Sequence, residues 1–528
     1  MFVFYNGVIH TMDPAYPNPD IVVVDEETGR VRSVGRLDFR TTMPPVKRVD
    51  LRGRTLLPGF NDAHVHIWKL GLLLTVQVDA RRAAAPDIPT VIEQFRQRAA
   101  AVPAGTWLTG RGYNEVDLPE KRHPTSADLD QVSTDHPVAL TRTCGHMIVA
   151  NSLALRLAGI TAETPDPPGG VIVRGEDGQP TGLLQETAMG LLTRAIPPYD
   201  DETMANAIRA AMAHQLRLGI TSATDPLLTP DHLRVYRQLD SAGHLDVRVN
   251  GLPIRRPDGG TETYPLPDMH HSDFLRVDTV KFFADGGLSG ATAALSEPYK
   301  VTGERGVLRF DTNELLDLMW EAHDAGFRIA THAIGDVALD QVIGVYETLH
   351  ARKPGLRHRV EHLGLPSPEH LRRLKAIDAI AVPQTVFLAA LGTAFRRYLP
   401  DHFLPRCYPV RAMLNAGLEI ALSSDAPVVP DDNPLLGIKA AVDRFDPLGE
   451  AIAPEQTISP YEALYAYTMG GAIASGDAAN RGSITPGKWA DLIIVNGDPL
   501  REAAIAPERL LDIHVEEVYV GGRLVAEN

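Results

Sequence analysis

The sequence predicts an α/β fold: a (β/α)8 TIM-type barrel with a small β-sandwich domain built from both chain ends and an inserted subdomain after the first barrel strand. Three observations predict it. Eight short β-rich runs recur through the middle of the chain, several followed by helical signals. Alternating, strand-like segments occupy both termini. Between the first β-rich run and the second lie about 150 residues, too many for a loop.

The N-terminal segment alternates in "FVFYNGVIHTM", "IVVVDEETGRVRSVG" and "KRVDLRGRTLLPG", separated by Gly- and Asp-rich turns. "WADLIIVNGDPL" and "VEEVYVGGRLVAE" do the same near the C-terminus. Residues 1–56 and 480–528 are therefore expected to form one β-sandwich domain, and 57–479 the barrel. The first barrel run is "RTLLPGFNDAHVH". It is followed by "GITSATD", "DVRVNGLPI", "VDTVKFFADGG", "FRIATHAIGD", "RHRVEHLGL", "AIAVPQTV" and "EIALSSDAPV". The long interval, about 72–205, contains "GRGYNE", "KRHPTSADLDQV", "TCGHMIVANSLAL" and "PPGGVIVRGEDGQPTGLLQETA" and reads as a subdomain beside the barrel mouth. In "SPEHLRRLKAI", Ser367 is an N-cap candidate with Pro368 at the first helical position. Ser459 and Glu462 have capping-box spacing.

A chain of 528 residues, 44% hydrophobic and 22% charged, is ordinary for a soluble globular protein. Its formal net charge of −16 argues against a nucleic-acid or anionic-membrane surface. Two cysteines, Cys144 and Cys407, exclude a disulfide framework and indicate a reducing compartment. "MFVFYNGVIHTMDP" lacks a basic n-region and a sustained apolar core, so no signal peptide is expected. The longest uncharged run, "AIAVPQTVFLAALGTAF", is interrupted by Pro383, Gln384 and Gly392. These features predict a cytoplasmic protein with no nucleic-acid or membrane partner; the charge says little about a small-molecule substrate, because the local field of a cleft can oppose the global sign. The oligomeric state is left open, a homodimer among the possibilities.

The chemistry concentrates at the ends of the β-rich runs. His64 and His66 follow the first; with 19 histidines, an H-x-H arises by chance roughly 0.7 times, so the pair alone decides nothing. In an extended strand, however, both imidazoles and Asp62 point to one face, where they can bind a divalent ion. Lys281 lies in "VDTVKFFADGG", His332 in "IATHAIGD", His362 in "RVEHLGL" and Asp425 in "ALSSDAPV", each before a Gly or Pro break. A barrel brings such positions to one face. Bland readings stand beside these: His332 as a hydrogen-bonded structural histidine, His362 packed on Glu361, Lys281 ion-paired with Asp285, Asp425 capping a helix. Trp68, Tyr113 and His146 are substrate-pocket candidates. Trp68 has packing as its alternative; Tyr113 and His146, with Asn114, have holding the insert together. Cys144 reads as a buried structural thiol.

The chain resembles the amidohydrolase superfamily, and within it the YtcJ-like branch (amidohydrolase family 3) that includes N-substituted formamide deformylases. The matching stretches are "PGFNDAHVH", "GRGYNE", "HPTSADLDQV", "GHMIVANSLAL", "GQPTGLLQE", "VKFFADGG", "THAIGD", "RVEHLG", "SSDAPV" and "PGKWADLIIV", in family order along nearly the whole chain. The resemblance implies the barrel, the β-sandwich and one or two divalent ions, usually Zn2+. It implies His64 and His66 on the more buried ion, a carboxylated Lys281 bridging to a second, His332 and His362 on that second ion, and Asp425 touching metal and attacking water. A buried amine is more readily neutral, which a carbamate requires. Asn61, Cys144 and the arginine-free "GGLSGATAAL" depart from the family pattern on the expected substrate side.

The expected activity is hydrolysis of a C–N bond other than a peptide bond, in an amide or formamide, by metal-activated water. Asp425, Lys281 and His362 are the catalytic candidates. Deamination or cyclic amide opening uses the same machinery. A non-catalytic binding protein would be expected to have lost ligands, and all six are present.

Overall fold

The computed structural model describes residues 1–36, 47–257 and 262–528. Its central strands are β1 (Phe60–Asp62), β2 (Ile220–Leu228), β3 (Arg248–Pro253), β4 (Thr279–Phe283), β5 (Arg328–Ala333), β6 (Arg359–His362), β7 (Ile380–Val382) and β8 (Glu419–Ile420). β1, β2 and β3 pair in parallel, and so do β4 to β8 in chain order. Leu275–Val277, which continues through Asp278 into β4, pairs in parallel with β3. A parallel bridge also joins Ile254 to Lys281. At the opposite edge the Ala63 N–H donates to the Leu422 carbonyl at 3.4 Å. This is a TIM-barrel-like α/β arrangement. Strands such as β5, "RIATHA", are buried along their whole length, as parallel strands covered on both faces must be.

The helix signals read from the sequence are present. Ser367 caps Pro368–Ala376 by accepting the His370 N–H, and Ser459 with Glu462 forms a capping box on Pro460–Tyr465. The apolar run "AIAVPQTVFLAALGTAF" divides into β7 and the helix Val386–Tyr398. Among the described residues no helix is long and apolar enough to cross a membrane. Cys144 and Cys407 are buried free thiols, and burial pushes Cys407 up to about 12.

The first run differs from its expectation. "RTLLPGF" reads as one strand, but Thr55–Pro58 pairs with Leu492–Val495 in another sheet, and β1 begins afresh at Phe60. The break is Gly59, where a Cβ would lie 2.1 Å from the Thr221 hydroxyl oxygen. The chain ends meet in two sheets. One contains Phe2–Tyr5, Ile21–Asp25, Arg30–Gly35 and Lys47–Asp50; the other contains Val8–Ile9, Thr55–Pro58, Leu492–Val495, Val515–Val520 and Arg523–Glu527. Phe4, Val22, Leu56, Leu492, Ile494 and Tyr519 form part of a single apolar cluster between them. After β1, a six-stranded sheet runs from Val78–Asp79 to Pro180–Glu186 around its own apolar cluster, which includes Phe95, Leu140 and Leu183.

A buried ion pair ties the C-terminal segment to strand β3. Arg248 on β3 donates to both oxygens of Asp491 at 2.6 and 3.0 Å, and to the Asp273 carbonyl at 2.7 Å. Both side chains are at most 5% exposed. Removing one partner leaves an uncompensated buried charge, which costs about 3–5 kcal/mol. Asp491→Ala is therefore expected to lower the urea unfolding midpoint sharply, whereas exchange of the exposed Glu369 for Ala should barely move it.

Candidate active site

β1 ends at Asp62, and His64 and His66 lie in the turn beyond it. Asp62 shapes that turn rather than joining the histidines. Its Oδ1 accepts the N–H groups of His64 and Ser424 at 3.2 and 3.1 Å, and its Oδ2 accepts the Ser424 hydroxyl at 2.5 Å. Burial pushes Asp62 up to about 7. The turn docks on the segment after β8: the Asp425 N–H donates to the His64 carbonyl at 2.7 Å, and the His66 N–H to that of Ala426 at 2.9 Å. Asp425 sits at φ +58°, a left-handed conformation that Asp tolerates better than most residues.

This docking brings the His64 and His66 Nε2 atoms to 3.4 and 3.2 Å from one oxygen, Asp425 Oδ1. The ligand atoms of these three buried residues all lie within 4.8 Å of one another. The opposite ring nitrogens fix the tautomers. His64 Nδ1 meets Glu361 Oε2 at 2.5 Å, and His66 Nδ1 meets the Pro226 carbonyl at 3.1 Å. Both partners are acceptors, so each Nδ1 carries the proton and each Nε2 presents its lone pair. Burial lowers the pKa of both rings, His64 to about 4 and His66 well below the usual value, so both are neutral at pH 7. Burial pushes Asp425 up to about 7. Two lone pairs converging on one carboxylate oxygen repel unless a cation lies among them. The donor set fits a divalent ion held by nitrogen and oxygen ligands.

Glu361 is the support that sequence reasoning missed. The sequence offers it only as a packing neighbour of His362, yet it accepts from Arg359 at 2.8 and 3.0 Å as well as from His64. Burial alone would raise its pKa, but the Arg359 guanidinium and His64 hold it far below the usual carboxylate range. A carboxylate so placed orients the ligand ring and raises its basicity. Glu361→Gln is expected to weaken metal binding about 10- to 100-fold, as read by competition with a chromophoric chelator. An unchanged affinity would show that Glu361 only packs.

His362 and His332 flank this group. The His362 ring centroid is 4.9 Å from that of His64 and 4.4 Å from that of His332. His362 Nδ1 donates to Gln384 Oε1 at 2.7 Å, leaving an Nε2 lone pair; Gln384 is held in turn by the Val382 carbonyl and the Ser423 hydroxyl. His332 is turned the other way, its Nε2 donating to the Gly286 carbonyl at 3.0 Å, so its Nδ1 carries the available lone pair. Burial lowers both imidazoles well below the usual value. Lys281 on β4 is fully buried, its Nζ 4.8 Å from the Phe283 ring centre. Its charge acts on His64, His66, His332 and His362. Asp285, its alternative ion-pair partner, accepts the N–H groups of Ala294, Ile334 and Gly335 at 2.8–3.0 Å.

The substrate-side candidates separate. His146 reaches the site: its ring is 5.6 Å from that of His332 and its Nδ1 3.0 Å from Glu186 Oε2, which also accepts from Arg309 at 2.7 Å. A small cavity beside Asp425 is lined by Cys144, His146, His332 and His362, with Phe387 and Tyr408 among its apolar walls. Neither Tyr113 nor Trp68 is brought to it. Tyr113 is fully buried in the core of the insert and bonds His123 Nδ1 at 3.1 Å. Trp68 stacks on His232, with ring centroids 4.2 Å apart. Asn114 braces Arg142 within the insert, accepting from it at 2.9 Å.

The sequence and fold match known proteins along nearly the whole chain. A family profile described as "Amidohydrolase family" matches residues 47–526. The YtcJ protein of Bacillus subtilis is 30% identical, covering 99% of this chain and 99% of its own length. The N-substituted formamide deformylase of Arthrobacter pascens is 29% identical over 98% of this chain and 97% of its own. Among solved structures, an uncharacterized metal-dependent hydrolase from Pyrococcus horikoshii superposes with a TM-score of 0.75 at 26% identity, covering 94% of this chain and 98% of that one.

Proposed function

This chain belongs to the amidohydrolase family, and on that premise we propose that it hydrolyses the C–N bond of a small-molecule amide or formamide at the His64–His66–Asp425 site. The observation that carries this reading is the convergence of two neutral imidazole Nε2 atoms on one buried Asp425 oxygen. Metal dependence comes with the family; zinc is the ion best suited to imidazole and carboxylate donors. A bound divalent ion supplies acidified water and stabilises negative charge developing on the carbonyl oxygen.

The remaining chemistry belongs to the chain. Glu361 and the Pro226 carbonyl hold the two ligand rings in their Nδ1–H tautomers. Asp425 takes a proton from the attacking water and returns it to the departing amine nitrogen, so one carboxylate serves as base and then as acid. His362 keeps its lone pair toward the site through Gln384, which suits a ligand rather than a hydrogen-bond donor. We assign His332 and a carboxylated Lys281 with it to a second ion. In this reading β1–β8 close as the barrel (57–479), residues 1–56 and 480–528 form its β-sandwich, and about 72–205 is the inserted subdomain.

The test is a panel of linear amides, formamides, cyclic amides and amino-heterocycles given to chelated and zinc-restored protein, with amine and ammonia release measured separately. Zinc-restored amine release from linear substrates is expected. Ammonia release from amino-heterocycles alone would replace this reading with deamination, and full metal loading with no turnover would replace it with a binding role.

A further inference from the structure

Arg111 is a buried cation beside the site that the chemistry above leaves unused. It stands on the insert strand Leu108–Tyr113, paired with Thr141 of the adjacent strand, and is only 6% exposed. Burying a guanidinium without partners is costly, and folded chains normally pair such groups. Arg142, one residue after Thr141, shows the usual solution: it donates to both oxygens of Glu115 at 2.7 and 3.0 Å. Arg111 has no such arrangement. Its Nε and Nη2 are buried and make no hydrogen bond among the described residues. These two atoms lie on one edge of the guanidinium and form the fork that matches the two oxygens of a carboxylate.

The place of this fork matters as much as its vacancy. A Cβ added at Gly145 would stand 3.1 Å from Arg111 Nη2. Gly145 lies between Cys144 and His146, both of which line the cavity beside Asp425. The glycine, at φ +76°, thus leaves room for the guanidinium beside the segment that carries these two cavity-lining residues, where a side chain would press on it. Arg111 is also near enough to Asp425 for the two charges to attract, and near enough to His66 to disfavour its protonated form. In a chain of net charge −16, a buried positive fork at this point sets the local sign of the site against the global one.

We propose that Arg111 receives a carboxylate of the substrate, so that the bond cleaved here belongs to an acid such as an N-formyl or N-acyl amino acid rather than to a neutral amide. The proposal rests on the hydrolase reading above and narrows its substrate class. A carboxylate that met the site without Arg111 would have only the metal ligands' own ion to bind, and the two cases respond differently to substitution.

The experiment uses the full chain loaded with zinc. Binding of hexanoate and of hexanamide is measured by calorimetry for the wild type, Arg111→Met and Arg111→Lys, with metal content and thermal melting as controls. Hydrogen bonds to a charged group are worth about 10- to 100-fold in affinity. The wild type should prefer hexanoate by that factor, Arg111→Met should lose the preference, and Arg111→Lys, which keeps charge without the fork, should retain part of it. Should the Met variant fail to fold or to hold zinc, the Lys variant carries the comparison. Hexanoate binding unchanged in both variants overturns the proposal, because the anion then goes to the metal. Turnover is measured in parallel on N-formyl-leucine and N-formyl-leucinamide. Equal kcat/KM for the two overturns the proposal and leaves the hydrolase reading standing. Arg111-dependent hexanoate binding with no turnover of either compound supports the anion site and overturns the hydrolase reading.

Discussion

Replacing both His64 and His66 with alanine strips the protein of its tightly bound divalent ion and, with it, of activity. The two imidazoles supply the nitrogen donors converging on Asp425 Oδ1, and a single buried carboxylate does not hold zinc against water. Loss of a supporting residue alone costs about 10- to 100-fold in affinity, so each single substitution should exceed that and the double variant should lose the ion of this group, leaving at most the one assigned to His332, His362 and Lys281. Emission spectroscopy on the desalted protein reads the metal, and circular dichroism confirms that the fold persists. Chelating the wild type should likewise abolish turnover, and added zinc should restore it. A double variant with unchanged metal content would remove the central claim about this site.

The central parallel strands are legible in the sequence because each is a compact apolar run punctuated by Gly, Pro or Asp, a pattern local to a few residues. What crossed between elements was not. Nothing local marks Gly59 as a boundary between two sheets; the reason is Thr221, some 160 residues on, whose hydroxyl occupies the space of a Cβ. The histidine pair was found, but for a partly mistaken reason. His64 and His66 converge from a turn stapled by Asp62 and Ser424 rather than from strand alternation. Glu361 and His362 show the converse limit. Alternation would send neighbours to opposite faces, yet both meet His64, because His362 adopts a left-handed φ of +72° that breaks the strand. Tyr113 has two readings from its motif, a pocket role or holding the insert together, and its ring lies in the apolar cluster around the six-stranded sheet. Two positions earlier, Arg111 lay in the same "GRGYNE" and drew no notice, since only burial without partners distinguishes it.

Asp425→Asn keeps the fold and much of the metal while kcat falls by at least about a hundredfold, the lower end of what general acid–base catalysis contributes. Asparagine suits this position because it tolerates the left-handed backbone at φ +58° and leaves the N–H bond to the His64 carbonyl in place. Its amide oxygen can still ligate, but it cannot take a proton. The pH profile adds an independent reading. Burial pushes Asp425 up to about 7, opposed by cationic side chains that include Lys69 and Arg111, and a divalent cation alongside lowers it further. The working form is the carboxylate, so wild-type activity should fall as pH drops through this shared ionisation, on a limb below pH 7. Metal-bound water and Asp425 titrate there as a pair, so the limb belongs to both. In the asparagine variant the residual rate should lose or displace that limb, which a merely structural change would not do. A variant with full metal, near-normal kcat and an unmoved acid limb would transfer the proton's path to another group. His362, with its Nδ1 committed to Gln384 and its Nε2 lone pair toward the site, would then be the base to substitute next.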